Sequence, residues 1–186
     1  MKILSEPAVA QRQEVPYVAF RDRVPFTGFE TYTGAMRAKL LAWLRNHPVD
    51  AAGPAFLRLH VIDSSGRATV SVGVPVASPD AAAAVAAAAT AWAPQVVLGK
   101  LPARAPQIVA DVLPAGRYAT LSFVNHAVKA NLMLGEWCAE QGFEIERRRD
   151  DAGDTFVARV ETWLTDPNEE RRVSRQHVRL DFKLSN

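Results

Sequence analysis

One pattern occurs twice in this 186-residue chain, and it restricts the fold more than any single motif does. The first half runs AVAQRQEVPYVAFRDR, then YTGAMRAKLLAWLRNHP, then PAFLRLHVIDSSGRATVSVGVPV. The second runs QIVADVLPAGRYATLSFV, then NHAVKANLMLGEWCAEQGF, then DTFVARVETWLTDP and RQHVRLDFKL. Each half is an extended run broken by a proline (Pro16, Pro114), a stretch with helical spacing, and two alternating stretches. Ala35, Met36, Leu40, Leu41, Trp43 and Leu44 form one apolar stripe, ending near Asn46, His47 and Pro48. Ala127, Ala130, Leu134, Trp137 and Cys138 form the other, with Gly142 placed to cap it. Val70, Val72, Val74 and Val76, like Val178, Leu180, Phe182 and Leu184, alternate as strands do. DSSGRA and DDAGD are turn-rich links.

Between the halves lies SPDAAAAVAAAATAWAPQ, residues 78 to 95. Pro79 and Asp80 favour a helix start, alanine is the best helix former, and Pro94 stops the run. The expected organisation is one domain over 1–186. Repeat 1 covers about 8–77, the Ala-rich connector about 78–104 and repeat 2 about 105–186. Two β-α-β-β units can pair into one antiparallel sheet with both helices on one face. That is an α+β fold with the opposite face, or a groove at the pseudo-two-fold between the halves, left open.

Composition sets outer bounds. Apolar residues make up 48% and charged residues 23%, as in ordinary globular proteins. Net charge is +2, which argues against a bulk electrostatic nucleic-acid binder. The lone Cys138 can close no internal disulfide and offers no cysteine metal framework, which suits a reducing compartment. No segment has the length and apolarity of a membrane span, and MKILSEPAVAQ lacks a signal-peptide core, so the expected address is cytoplasmic. His47, His60, His126 and His177 show no metal-ligand spacing, so neither metal nor cofactor is expected. Ser122 and Ser174 sit in no nucleophile motif, and no glycine-rich phosphate loop is present. ERRR at 146–149 reads as a solvated strand end.

The residue that asks for an explanation is Glu161, a carboxylate in the middle of the strand-like VARVETWLTDP. Alternation puts Val157, Arg159, Glu161 and Trp163 on one face, and Phe156, Ala158, Val160, Thr162 and Leu164 on the other. The second set suits packing against the helices, so Glu161 is expected to face away from them. A carboxylate beside an indole is a receptor for an organic cation, or a general base if burial raises its pKa. A salt bridge from Glu161 to Arg159 or cross-strand Arg58 on a wet surface is the structural alternative. Tyr17 and Tyr118 hold matching places in the repeats, which favours them as groove walls. Phe26, Phe29 and Tyr32 lie in or beside RVPFTGFETYTG, a loop that could close over a ligand or remain an ordinary surface loop. Phe20, Trp43 and Trp137 read as core.

LPAGRYATL at 113–121, the helix after it, VETWLTDP at 160–167 and the closing strand together resemble the GyrI-like family. That family supplies the effector-binding domain of bacterial multidrug-sensing transcription regulators and also occurs as free-standing proteins. VPYVAFRDR, AMRAKLLAWLRNH and VSVGVPV extend the resemblance to the first half. It implies the duplicated SHS2 fold, a central ligand groove, and Glu161 as the polar anchor for bound compounds. Trp163 fills a position usually held by Tyr or Trp, and Tyr118 matches the tyrosine of P-A-G-x-Y. Tyr32 or Phe26 takes the place of an aromatic ahead of the first helix. Two departures stand out: RDRVPFTGFETYTG replaces a His-x-Gly-Pro-Tyr-like segment, and the connector is long. The chain has no room for the regulators' helix-turn-helix domain, so direct nucleic-acid binding is not expected.

The leading expectation is a stand-alone binder of amphipathic or cationic organic compounds, using Glu161, Trp163, Tyr118, Tyr17, Tyr32 and Phe26. A second is a hydrolase of electrophilic xenobiotics, with Glu161 as base and Tyr118 or Tyr32 as proton donor. A third is a protein partner, either DNA gyrase, whose inhibition gave the family its name, or a regulator.

Overall fold

Alternating, β-branched stretches form strands here, and the two apolar stripes form the long helices. A computed structural model describes residues 1–47, 49–90, 106–166, 170, 172 and 175–186. Pro48, Pro94, Pro167, Ser174 and connector residues 91–104 therefore lie outside the described residues. The first half comprises β1 (Lys2–Ile3), β2 (Ala8–Arg12), β3 (Val15–Pro25), α1 (Phe29–Arg45), β4 (Phe56–Asp63) and β5 (Arg67–Pro75). After α2 (Pro79–Thr90) the second half supplies β6 (Gln107–Leu113), β7 (Gly116–Val124), α3 (Ala127–Glu140), β8 (Arg147–Asp150), β9 (Gly153–Trp163) and β10 (His177–Lys183). The Ala-rich run is helical over its described part. Ser78 Oγ accepts from the Ala81 amide at its start, and Ala82 is buried against the first core.

All strands join one antiparallel sheet in the order β1-β7-β10-β9-β4-β5-β3-β6, with β2 also on β7 and β8 on β9. Central strands β4 and β9 join the two repeats. The proline breaks have a topological meaning. The run from Ala8 to Pro25 leaves β7 at Arg12, opposite Gly116, and joins β6 at Val15, opposite Leu113. The run from Gln107 to Val124 makes the reciprocal switch. Each repeat therefore lends a strand to the other, and the bends fall at the residues around Pro16 and Pro114, where a missing N–H is tolerated.

Both faces of the sheet are packed. Met36, Leu40 and Trp43 of α1 bury against Val18, Phe20 and Val72, and Leu134 and Cys138 of α3 against Leu121 and Leu180. Of the two places expected to be free, the face opposite the helices holds a third core of Tyr17, Phe56, Tyr118, Ala158 and Val160. At the tip of the β8–β9 hairpin, Gly153 has φ +133°, and an added Cβ would lie 2.1 Å from the Ile62 carbonyl oxygen. Only glycine fits there. β8 is exposed throughout, as the charge run implied. Among the described residues, no helix is long and apolar enough to cross a membrane.

Candidate functional site

The carboxylate of Glu161 emerges on the helix face, contrary to the expectation from alternation. Its cross-strand neighbours fix this. Glu161 lies opposite Leu57 on β4 and Leu180 on β10, and these two belong to the helix-backed cores. Alternation misleads because packed residues stand on both faces of β9. Ala158 and Val160 are buried against the tyrosine core, while Trp163 packs against the two helix-backed cores. A register shift between Leu59 and Val61 also moves Phe156 to the helix side, where Arg159 lies 5.1 Å from its ring centroid.

The registers place Glu161 on the pseudo-two-fold itself. Tyr17 pairs with Pro75 and Tyr118 with Lys183, so these pairs correspond. Three residues before Pro75 is Val72, which pairs with Leu57; three before Lys183 is Leu180, which pairs with Glu161. Leu57 is thus the counterpart of Glu161 in repeat 1, and it is also the residue directly across from it. The helices match as well. Met36 and Leu40 on α1 correspond to Ala130 and Leu134 on α3, which makes Arg37 the counterpart of Asn131. The site is built on a symmetric template carrying asymmetric side chains.

Asn131 reaches from α3 to the axis. Its Nδ2 donates to Glu161 Oε1 at 2.9 Å and to the Ala127 carbonyl at 2.8 Å, while its Oδ1 accepts from Arg159 Nε at 2.9 Å. The amide thus stands between guanidinium and carboxylate. Among the described residues, no Lys, Arg or His nitrogen comes within 4.0 Å of Glu161. Burial raises its pKa above the ordinary carboxylate value. The Asn131 hydrogen bond and the Arg159 charge pull the other way, and Glu30 on α1 pushes it up further. The structure therefore holds a carboxyl group, shielded from part of its water, between two helices and, among the described residues, without a direct ion pair.

Neither guanidinium proposed as a salt-bridge partner fills that role. Arg58 points to the other face, donating to Tyr17 Oη at 3.0 Å, the Val112 carbonyl at 2.9 Å and the Val157 carbonyl at 2.8 Å. Arg159 is used by Asn131 and by the Phe156 and Phe182 rings. Arg58 belongs to a separate polar network. Tyr17 Oη donates to Asp111, Arg21 pairs with Asp111, and Arg21 Nε donates to Ser71 Oγ at 3.0 Å. The Ser71 hydroxyl lies 2.8 Å from His60 Nε2. Burial, reinforced by Arg58 and Arg21, pushes His60 down to about 3, so the ring is neutral and shares its Nε2 hydrogen bond with the Ser71 hydroxyl.

Of the other five expected site residues, Trp163 shares the strand face of Glu161, while Tyr17, Tyr118 and Phe26 lie elsewhere. Tyr17 and Tyr118 are buried in the third core, on the far side of the sheet. Tyr118 Oη donates to the Pro114 carbonyl at 2.7 Å, and burial lifts its pKa to about 12. Phe26 is exposed and stacks on Phe29 at 5.4 Å, beside the end of β3. Tyr32 packs against the first core, two helix positions and hence over half a turn from Glu30. Asn131, Glu30, Arg37 and Leu57 were not among the residues expected at the site, whereas Arg159 was expected as a direct partner of Glu161 and instead acts through Asn131. The available signal was the equivalence of Arg37 and Asn131 beside matching apolar stripes.

No family model and no curated protein sequence matches the chain. Solved structures do. EcmrR in its complex with DNA has a TM-score of 0.62 at 13% identity over 97% of this chain; the chain spans 57% of that one. The EcmrR C-terminal domain alone gives 0.60 at 13% identity over 99% of each chain. SAV2435 bound to tetraphenylphosphonium gives 0.55 at 9% identity, over 98% of this chain and 95% of that one. A hydrolase from Listeria innocua gives 0.53 at 12% identity, over 97% and 92%. The chain therefore has the fold of the GyrI-like effector-binding domains.

Proposed function

We propose that this chain is a small-molecule-binding protein that takes up amphipathic organic cations in the groove between α1 and α3. Glu161 is the anchor, Asn131 holds its carboxylate, and Trp163 supplies an apolar wall. The observation that carries this reading is the partly buried carboxylate on the pseudo-two-fold with no Lys, Arg or His nitrogen within 4.0 Å among the described residues. A charged group costs free energy in such a place unless a partner arrives. The drug-bound relative SAV2435 supports the reading, since its ligand is a lipophilic cation. The alternative with Glu161 as base and Tyr118 as proton donor loses support, because Tyr118 is buried across the sheet and spends its hydroxyl on Pro114.

Titration of tetraphenylphosphonium against its near-isosteric anion tetraphenylborate tests the proposal. At an effective dielectric of about 20, a charge pair at ~4 Å attracts by about 4 kcal/mol before desolvation. Retaining about half of that predicts that Glu161→Gln weakens the cation by roughly 10- to 100-fold and leaves the anion unaffected. Equal affinity of wild type and variant for tetraphenylphosphonium would remove Glu161 from the site.

A further inference from the structure

The groove carries a second charge that the anchor reading does not use. Arg37 sits on α1 at the position equivalent to Asn131, so its side chain, like that of Asn131, is directed along the flank facing the axis. It is only 8% exposed, and its guanidinium carbon lies 4.6 Å from the Trp163 ring centroid. It therefore covers the indole two residues from Glu161 on the same strand face. Among the described residues its terminal nitrogens hydrogen-bond to neutral acceptors only. Nη1 donates to Gln176 Oε1 at 2.6 Å, and Nη2 makes a long 3.4 Å bond to the Thr165 carbonyl. Its Nε is buried with no hydrogen-bond partner. Among the described residues no carboxylate lies within 4.0 Å of Arg37, and Asp166 acts on it from farther away.

A buried guanidinium and a partly buried carboxyl group thus stand on the two sides of one indole without pairing with each other. A site evolved for a simple lipophilic cation would not hold a guanidinium against its aromatic wall, because the like charge repels the ligand and occupies the ring face. A ligand with charges of both signs satisfies each of them. We infer, building on the proposed function, that the ligand is zwitterionic: its cationic end meets Glu161 and a carboxylate or similar anionic end meets Arg37. Arg37 is then a specificity-determining residue, since a planar guanidinium is suited to a carboxylate.

The test uses the full chain and a matched series of probes: aryl-substituted quaternary ammonium compounds with and without a terminal carboxylate, at increasing spacer length. Wild type is expected to bind the best-fitting ammonio-carboxylate at least about tenfold tighter than its carboxylate-free counterpart. Arg37→Gln should reverse that order, because it removes both the anion receptor and the repulsion towards plain cations. Arg37→Lys keeps the charge without the fork and should retain part of the preference. A residue serving only to tether α1 to residues 165 and 176 would leave the ratio unchanged. If wild type binds the plain cation as well or better at every spacer length, the inference is overturned, whether or not the variants fold. Should plain cations bind in a Glu161-dependent way while the carboxylate adds nothing, the anchor reading stands and this inference alone fails. Binding that ignores Glu161→Gln sinks the anchor reading first.

Discussion

Replacing Glu161 by leucine should stabilise the protein while abolishing its charge selectivity. The reasoning starts from the balance of effects on the carboxylate. Burial outweighs both the Asn131 hydrogen bond and the Arg159 attraction, so the native state disfavours the ionised form. For a carboxyl group whose pKa is raised on folding, stability is fully present below the unfolded value and is lost as pH rises through the folded value. Above the ordinary carboxylate range the partly buried Glu161 is therefore a net burden, whether it ionises or holds its proton, hydrogen bond included. Leucine removes that burden and restores the residue type found at the pseudo-symmetric position, Leu57. Full burial of a leucine side chain is worth about 1.5–3 kcal/mol, and this position is only partly buried, so packing adds about 1 kcal/mol. Asn131 is not stranded, because it keeps the Ala127 carbonyl and Arg159. The packing term alone predicts about 1 kcal/mol, a rise in melting temperature of roughly 2–4 °C for a chain of this size, and removal of the burial penalty acts in the same direction. Thermal unfolding of wild type and Glu161→Leu across the acid-to-neutral range reads it directly. The gap should be small below the ordinary carboxylate range and should widen towards neutrality. A variant that melts below wild type at pH 7, with the gap closing in acid, would show that Glu161 is a structural ion and would refute the reasoning.

Three further expectations follow from other parts of the molecule. Gly153→Ala should cost several kcal/mol and lower the urea midpoint sharply, since the new Cβ meets the Ile62 carbonyl at 2.1 Å and the φ of +133° is closed to alanine. Cys138, 1% exposed and with its thiol pushed up to about 11 by burial, should resist a water-soluble disulfide reagent in the native state and react at once in denaturant. His60 is kept neutral in the folded state, so unfolding takes up a proton below pH 6.5. Its contribution to stability is present above that pH and is lost as pH falls towards about 3. The slope is about 1.4 kcal/mol per pH unit, or up to about 2 kcal/mol by pH 5. His60→Gln should flatten the wild-type stability curve between pH 6.5 and 5, and an unchanged curve would place the proton elsewhere.

The duplicated architecture was legible because helix and strand periods differ, and each period recurs in order on both sides of an alanine run. Helix α1 begins at Phe29, a few residues before the stripe suggested, with Gly28 at φ 77° ahead of it. The position of Glu161 mid-strand marked it as the residue to explain. The orientation of that strand was not legible. When Val160 and Trp163 are both packed, alternation separates two faces without saying which one meets the helices. The matching tyrosines misled for a related reason. Equivalent positions do converge on the axis, but Tyr17 and Tyr118 converge on its far side, in a core closed by the strand exchange at Arg12 and Leu113. Asn131 and Arg37 escaped notice because each lies one step past an apolar stripe, where a polar residue ordinarily meets water.

Placing the anchor on the two-fold has an evolutionary corollary. In a dimer of identical half-length subunits, whatever stands at this position faces its own copy across the central strand pair, at the close spacing of directly opposed residues. Two carboxylates there would repel until one took up a proton, and the groove would lose its single fixed anion. Joining the halves in one polypeptide lets one copy become leucine and the other glutamate. Fusion of the repeats is thus a precondition for a lone charge at the centre, beyond any gain in stability it brings.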